Sequence, residues 1–369
     1  SEHRIEKNVV SLQLFYSMQK KYMYTNKEIW NVSYPIFLGL LAQNIINVTD
    51  TAFLGRVGEV ELGASAMGGL FYICVFTIAF GFSVGSQILI ARRNGEGRYK
   101  DVGPVMIQGG TFLLGLAVLM FGLTHLLAPS IVRLLISSDS IFDATMEFLN
   151  WRIWGFFFAF VNVMFRALYI GITRTKVLTM NAVVMALVNV LLDYILIFGK
   201  LGFPALGVTG AAVATLFSRI IEAVVMVVYV RCIDKKLKLR FADLLKRGGE
   251  LTRDFLRYGL PIMGGQVVWS VNMLGQTMIL GRYDAGVIAA VSIANMLHNM
   301  MYIAMNGLSS AVGIITGKTV GSGRMEKIRE YARTTQVIFL GLGILSGIAV
   351  HFLRDPFIGL YGACLLYTS

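Results

Sequence analysis

The chain has 369 residues, 56% of them hydrophobic and only 15% charged, with a mean hydropathy of +0.67. A soluble chain carries about 25% charged residues, so disorder, collagen-like repetition and a soluble multidomain enzyme are excluded and a polytopic membrane protein remains. Thirty-three basic against 21 acidic residues give a net charge of +12. The placement of those basic residues, in alternate loops, excludes nucleic acid as the partner.

Residues 1–30 are polar and basic, with no apolar core ahead of a small-residue cleavage site, and read as a cytoplasmic N-terminal segment. The first residue is Ser1 rather than Met, so the N-terminus is read as incomplete. Nine apolar stretches follow, near 31–54, 64–90, 104–128, 148–170, 178–199, 206–230, 257–281, 287–316 and 334–353. Each is about 20 residues or longer, enough helix to cross a hydrocarbon core of about 30 Å. Backbone groups in lipid must be satisfied within the segment, which makes helices of them all. The predicted fold class is an all-α polytopic membrane protein.

Lysine and arginine orient the spans. Twenty-five fall in the N-terminal segment and in the loops after the second, fourth, sixth and eighth spans, against five (Arg56, Arg133, Lys200, Arg282, Arg354) on the other side. The N-terminus is therefore expected in the cytoplasm, with membrane lipids as neighbours of the basic loops. Scattered Cys74, Cys232 and Cys364 suit neither a disulfide framework nor a metal site.

A shift of 226 residues superposes two stretches without a gap. Pro35-Ile36-x-x-Gly39 falls on Pro261-Ile262-x-x-Gly265, and Thr51-x-x-Leu54-Gly55-Arg56 on Thr277-x-x-Leu280-Gly281-Arg282. Gly81 and Ser83 fall on Gly307 and Ser309, and Gly95-x-Gly97-Arg98 on Gly321-x-Gly323-Arg324. Two six-span bundles in one orientation imply a parallel repeat about an axis along the membrane normal, a transporter plan. The expected units are an N-lobe over 31–230, a cytoplasmic connection over 231–256 and a partial C-lobe over 257–363. On the repeat, residue 369 corresponds to 143, so a full second lobe would need roughly 90 further residues and three helices; 364–369 is expected to be a non-native tail.

Acidic residues deep in a span are expensive and default to function. Asp50 lies in the first span and Asp193 in the fifth, with Asn189 one turn before it on the same face. Gln43, Asn47 and Asp50 share a face of the first helix, and Pro35, inside the apolar run, removes a backbone bond and allows a bend. Two carboxylates in a low-dielectric cavity would share a proton or bind a small cation. The plainer alternative makes Asp50 an interfacial cap and Asp193 interhelical glue. Thr215, in a small-residue run of the sixth span, suits close helix packing with its hydroxyl toward the pair. Arg219 and Glu222 are expected to neutralise each other, and Arg166 with Arg174 to anchor or gate the cytoplasmic end of the fourth span. No zinc spacing, nucleophile elbow or Walker motif occurs, which argues against an enzyme and against direct ATP drive.

The combination resembles the multidrug and toxic compound extrusion (MATE) family. The matching pieces are Pro35 with Asn47-Val48-Thr49-Asp50-Thr51-x-x-x-Gly55, Gly85-Ser86-Gln87, Asn189-x-x-x-Asp193 and Gly207-x-x-Gly210-Ala211-Ala212-x-Ala214-Thr215, within residues 28–360. The resemblance implies two six-helix lobes of the multidrug/oligosaccharidyl-lipid/polysaccharide (MOP) type that alternate access. It also implies export of cationic or amphipathic compounds in exchange for inward H⁺ or Na⁺, with no cofactor. It maps the cation site onto Asp50, Asn189, Asp193 and Thr215, the substrate cavity onto Gln43, Asn47 and Asn162, and a helix bend onto Pro35. No metal is implied beyond Na⁺ at Asp50 and Asp193. Trp269, with no carboxylate between 257 and 281, points to the DinF-like branch and to protons. A monomer in a prokaryotic inner membrane is expected. A lipid-linked oligosaccharide flippase of the same superfamily is the alternative within transport, disfavoured by the few buried basic residues. A non-transporting receptor or structural membrane protein is the alternative outside it.

Overall fold

The computed structural model describes residues 26–136, 138–234, 249–280 and 285–366, and among these every regular element is helical. The expectations for residues 1–25, for most of the connection after 234 and for 367–369 lie outside the described residues. The helices are α1 (Asn26–Val57), α2 (Glu59–Gly95), α3 (Val102–Leu135), α4 (Asp139–Arg152), α5 (Gly155–Gly171), α6 (Lys176–Phe198), α7 (Gly207–Val228), α8 (Gly249–Leu280), α9 (Ala285–Gly321) and α10 (Glu326–Leu366). At 1.5 Å per residue, the 37 residues of α2 extend about 55 Å, well past the hydrocarbon core.

Among the described residues, six helical spans are long and apolar enough to cross a membrane, and α4 with α5 makes a seventh if counted as one bent span. Along α8, Gln266, Asn272 and Gln276 interrupt the apolar run. The fourth predicted span, drawn as one helix over 148–170, is corrected: α4 ends at Arg152 and α5 leaves at 54° after a turn at Ile153 and Trp154. The Phe156 amide donates to the Ile153 carbonyl across that turn at 3.0 Å. Hydropathy averages over such a turn because it carries no direction.

α2 is the hub, packed against α1, α3, α4, α5, α7, α8 and α9. Its inner face shares an aromatic-rich core with α3 and α5, in which Tyr72 stacks on Phe156 at 5.0 Å and Phe82 on Phe112 at 4.3 Å. Repeat-related residues make repeat-related contacts. A Cβ on Gly95 would collide with the Lys318 carbonyl, and one on Gly321 with the Arg92 carbonyl; the 226-residue shift interchanges the two. Likewise Gly81 faces the Met263 backbone and Gly307 the Phe37 backbone. Crossing helices approach this closely only where one side chain is a hydrogen atom.

Local chemistry sets the tight α6–α7 hairpin that carries half of the polar site. Gly199 ends α6 with φ at 65°, a left-handed conformation that costs glycine nothing, and the Leu206 amide returns to the Leu196 carbonyl at 2.9 Å. A Cβ on Gly210 would stand 2.7 Å from the Leu196 oxygen, so the small residues that open α7 set the spacing of the two helices.

Candidate functional site

Asp50 on α1 and Asp193 on α6 place their carboxyls within hydrogen-bond reach of each other. Asp193 and Asn189, one turn apart on α6, are both fully buried. Among the described residues, no donor reaches Asp50 Oδ1 or either Asp193 oxygen. Carboxylates that face only one another repel, and they bond only when a proton sits between them. Beside them, Asn189 Nδ2 donates to Thr215 Oγ1 at 3.5 Å, and that hydroxyl donates to the Ala211 carbonyl at 3.0 Å. The structure thus brings together four predicted residues from three helices: Asp50, Asn189, Asp193 and Thr215.

One charged neighbour was missing from the sequence reading. Arg152, the last residue of α4, turns its guanidinium over the Tyr72 ring at 4.7 Å and the Phe148 ring at 5.6 Å. Its charge acts on both carboxyls, and its Nε has no acceptor. The signal was present: after the loops take their thirty lysines and arginines, three basic residues remain, Arg152, Arg166 and Arg219.

Nearer the Pro35 end of α1 lies an open cavity between α1, α2, α5, α6 and α7. Pro35 and Gln43 line it from α1, and Asn162 from α5. The Pro35 carbonyl accepts from Thr179 Oγ1 at 2.9 Å, which ties α1 to α6 at the proline. Asn47 stands exposed, outside the residues that line the cavity. Asn162 Nδ2 donates to Glu222 Oε2 at 2.7 Å, and Arg219 pairs with the same oxygen at 2.9 Å, as its spacing predicted. Arg166 lines the cavity with its guanidinium 5.0 Å from the Phe80 ring centre. Arg174 pairs with Asp234 at 2.7 Å.

Two polar features therefore share one bundle, a pair of facing carboxyls and a cavity whose wall runs along the same α1. The MatE family model matches residues 35–195 and 261–364. A probable multidrug resistance protein NorM of Halalkalibacterium halodurans is 27% identical over 337 residues, 89% of this chain and 72% of that protein. One of the same description from Thermotoga maritima is 25% identical over 352 residues, 94% and 75% of the two chains. Among solved structures, a MATE crystal structure in the bent conformation superposes with a TM-score of 0.82 at 21% identity, covering 91% of this chain and 75% of that one. A MOP superfamily transporter from Pyrococcus furiosus, described as having a binding pocket of reversed polarity, superposes at 0.81 with 21% identity, covering 90% and 73%. At such identities the superpositions establish the fold. With the family model matched over most of its length, this multi-pass membrane protein belongs to the MatE family of transporters.

Proposed function

We propose that the protein is a secondary antiporter that exports amphipathic small molecules, driven by cations entering through the Asp50–Asp193 pair. The facing carboxyls carry this reading. A proton held between them relieves the repulsion, and its departure leaves two buried like charges that favour another arrangement of α1 against α6. Na⁺ would need the same oxygens with Asn189 and Thr215; a single proton shared between the carboxyls needs no further ligand, so the proton is favoured. Asp50 and five cavity-lining residues, Pro35, Ile36, Gly39, Leu40 and Gln43, ride on α1, so movement of that helix links ion uptake to cavity shape. The bend at Pro35 is the proposed joint.

The reading includes two lobes alternating access, spanning 31–230 and 257–363, nine spans in this chain, a cytoplasmic N-terminus, a prokaryotic inner membrane and a monomer. The relatives named multidrug resistance proteins support small-molecule export, and organic cations are the class that the resemblance implies. The DinF-like assignment rests on the first-lobe carboxyls and on Trp269, whereas the curated relatives cited carry the name NorM. One observation favours the flippase as a second reading: Arg166 and Arg219 line the cavity, although buried basic residues were expected to be few. The test is export from proteoliposomes under an imposed pH step, using a panel of cationic and anionic amphiphiles. Export of any panel member that is lost in Asp193→Asn supports the reading; no gradient-driven export of any member from folded protein contradicts it.

A further inference from the structure

The charge of the cavity is opposite to what a binder of organic cations needs. Its ionisable lining consists of Arg166, Arg219 and Glu222. Glu222 is already engaged, because its Oε2 accepts from both Arg219 and Asn162. Among the described residues no carboxylate pairs with Arg166, whose recorded partner is the face of Phe80, and Arg219 Nε has no acceptor. Among the described residues, the cavity thus presents one guanidinium without a carboxylate partner, flanked by the apolar walls of Phe76, Leu178 and Met226.

A guanidinium at bilayer depth is costly unless it snorkels to the interface or finds an anion. Among the described residues Arg166 finds no such anion: it lies five residues inside the end of α5 and lines the cavity. Its planar fork of N–H donors matches a carboxylate, sulfonate or phosphate, which a cationic nitrogen would not complement. We infer that Arg166 makes this cavity selective for amphiphiles that carry an acidic oxygen group, which Arg166 receives while the apolar body lies on Phe76, Leu178 and Met226. The inference rests on the export reading above and departs from the cationic class expected from sequence. An anion leaving the cell is also driven by the inside-negative potential, so the charge assists export.

The acid group could belong to a free amphiphile or to a lipid headgroup, and the test separates them. Purified protein in proteoliposomes under an inward proton gradient would be offered radiolabelled naphthalene-2-sulfonate, ethidium, and a fluorescently labelled phosphatidylglycerol. The expected result is sulfonate export with KM at least about tenfold below that of ethidium. In Arg166→Gln that KM rises about tenfold to hundredfold, as for loss of a charge-assisted hydrogen bond, with kcat little changed; Arg166→Lys recovers part of the loss and shows that the site remains folded. Movement of the labelled lipid alone, lost in Arg166→Gln, upholds acid recognition and assigns the source to the membrane. Ethidium export without sulfonate or lipid movement, or a sulfonate KM indifferent to Arg166→Gln, overturns the inference while leaving export intact. If nothing moves, equilibrium binding of the sulfonate decides: weakening in Arg166→Gln upholds the acid site although export fails, and unchanged binding overturns it.

Discussion

α1 and α8 are two versions of one helix, and where they differ is informative. Both carry proline at matched places, Pro35 and Pro261, and both continue to Thr-x-x-Leu-Gly-Arg. Their threonines even make the same bond: Thr51 Oγ1 donates to the Asn47 carbonyl at 2.8 Å, and Thr277 Oγ1 to the Met273 carbonyl at 3.0 Å. Yet Asp50 is matched by Gln276, and Gln43 by Trp269. In the first repeat the acid meets Asp193 in a buried pocket; in the second the amide is exposed. Glycines, prolines and back-bonded threonines serve the crossing geometry that both repeats need, whereas at this matched position the carboxyl occurs in the first repeat and an amide in the second. A repeat can duplicate a frame without duplicating the machine it carries.

The contrast can be broken most severely at the matched pair itself. Asp50→Asn should remove gradient-driven export, at least about tenfold in rate, while Gln276→Ala leaves it within about twofold; equal losses at the two positions would end the asymmetry. Next comes the polar wall of the first repeat. Arg219→Gln leaves Glu222 with Asn162 alone, and breaking a buried pair from one side costs about 3 kcal/mol, read as a lower melting temperature of the protein in detergent, whereas a neutral change would demote the pair.

The glycine crossings should behave alike. Gly95→Ala and Gly321→Ala each force a methyl against a carbonyl across the α2–α9 contact, at about 1–3 kcal/mol. Spin labels at repeat-related Tyr99 and Met325, both exposed, should move apart to the same extent in either variant; an unequal response would make the contact one-sided. Smallest are Thr51→Val and Thr277→Val, each expected to change stability by less than about 1 kcal/mol because a bond to the i−4 carbonyl on a helix contributes little. A larger effect at Thr51 alone would draw that hydroxyl into the ion site.

Much of this arrangement was legible in the residues, and the omissions have physical causes. Asp50 and Asp193 stood out from the cost of carboxylates in lipid, whereas Asn189 and Thr215 joined them through the family resemblance. The repeat followed from spacing alone. The turn after Arg152 did not, because apolarity persists through Ile153-Trp154-Gly155 while direction changes. Arg152 was passed over for a related reason: near a span end, a snorkelling arginine and one turned inward have the same sequence, and only the packing of α4 on α2 separates them. Asn47, on a face with Gln43 and Asp50 by spacing, stands exposed beyond the lining of this cavity, since three and four residues are 300° and 400° around a helix.

The central claim is that ion coupling resides in the facing carboxyls of the first repeat. It is tested most directly by following efflux of labelled amphiphile from proteoliposomes after a pH step, with and without sodium, for the wild type and Asp193→Asn. The account predicts efflux that follows the proton gradient, is indifferent to sodium and disappears in the variant while its folding and insertion persist. Full gradient-driven efflux by Asp193→Asn would contradict it.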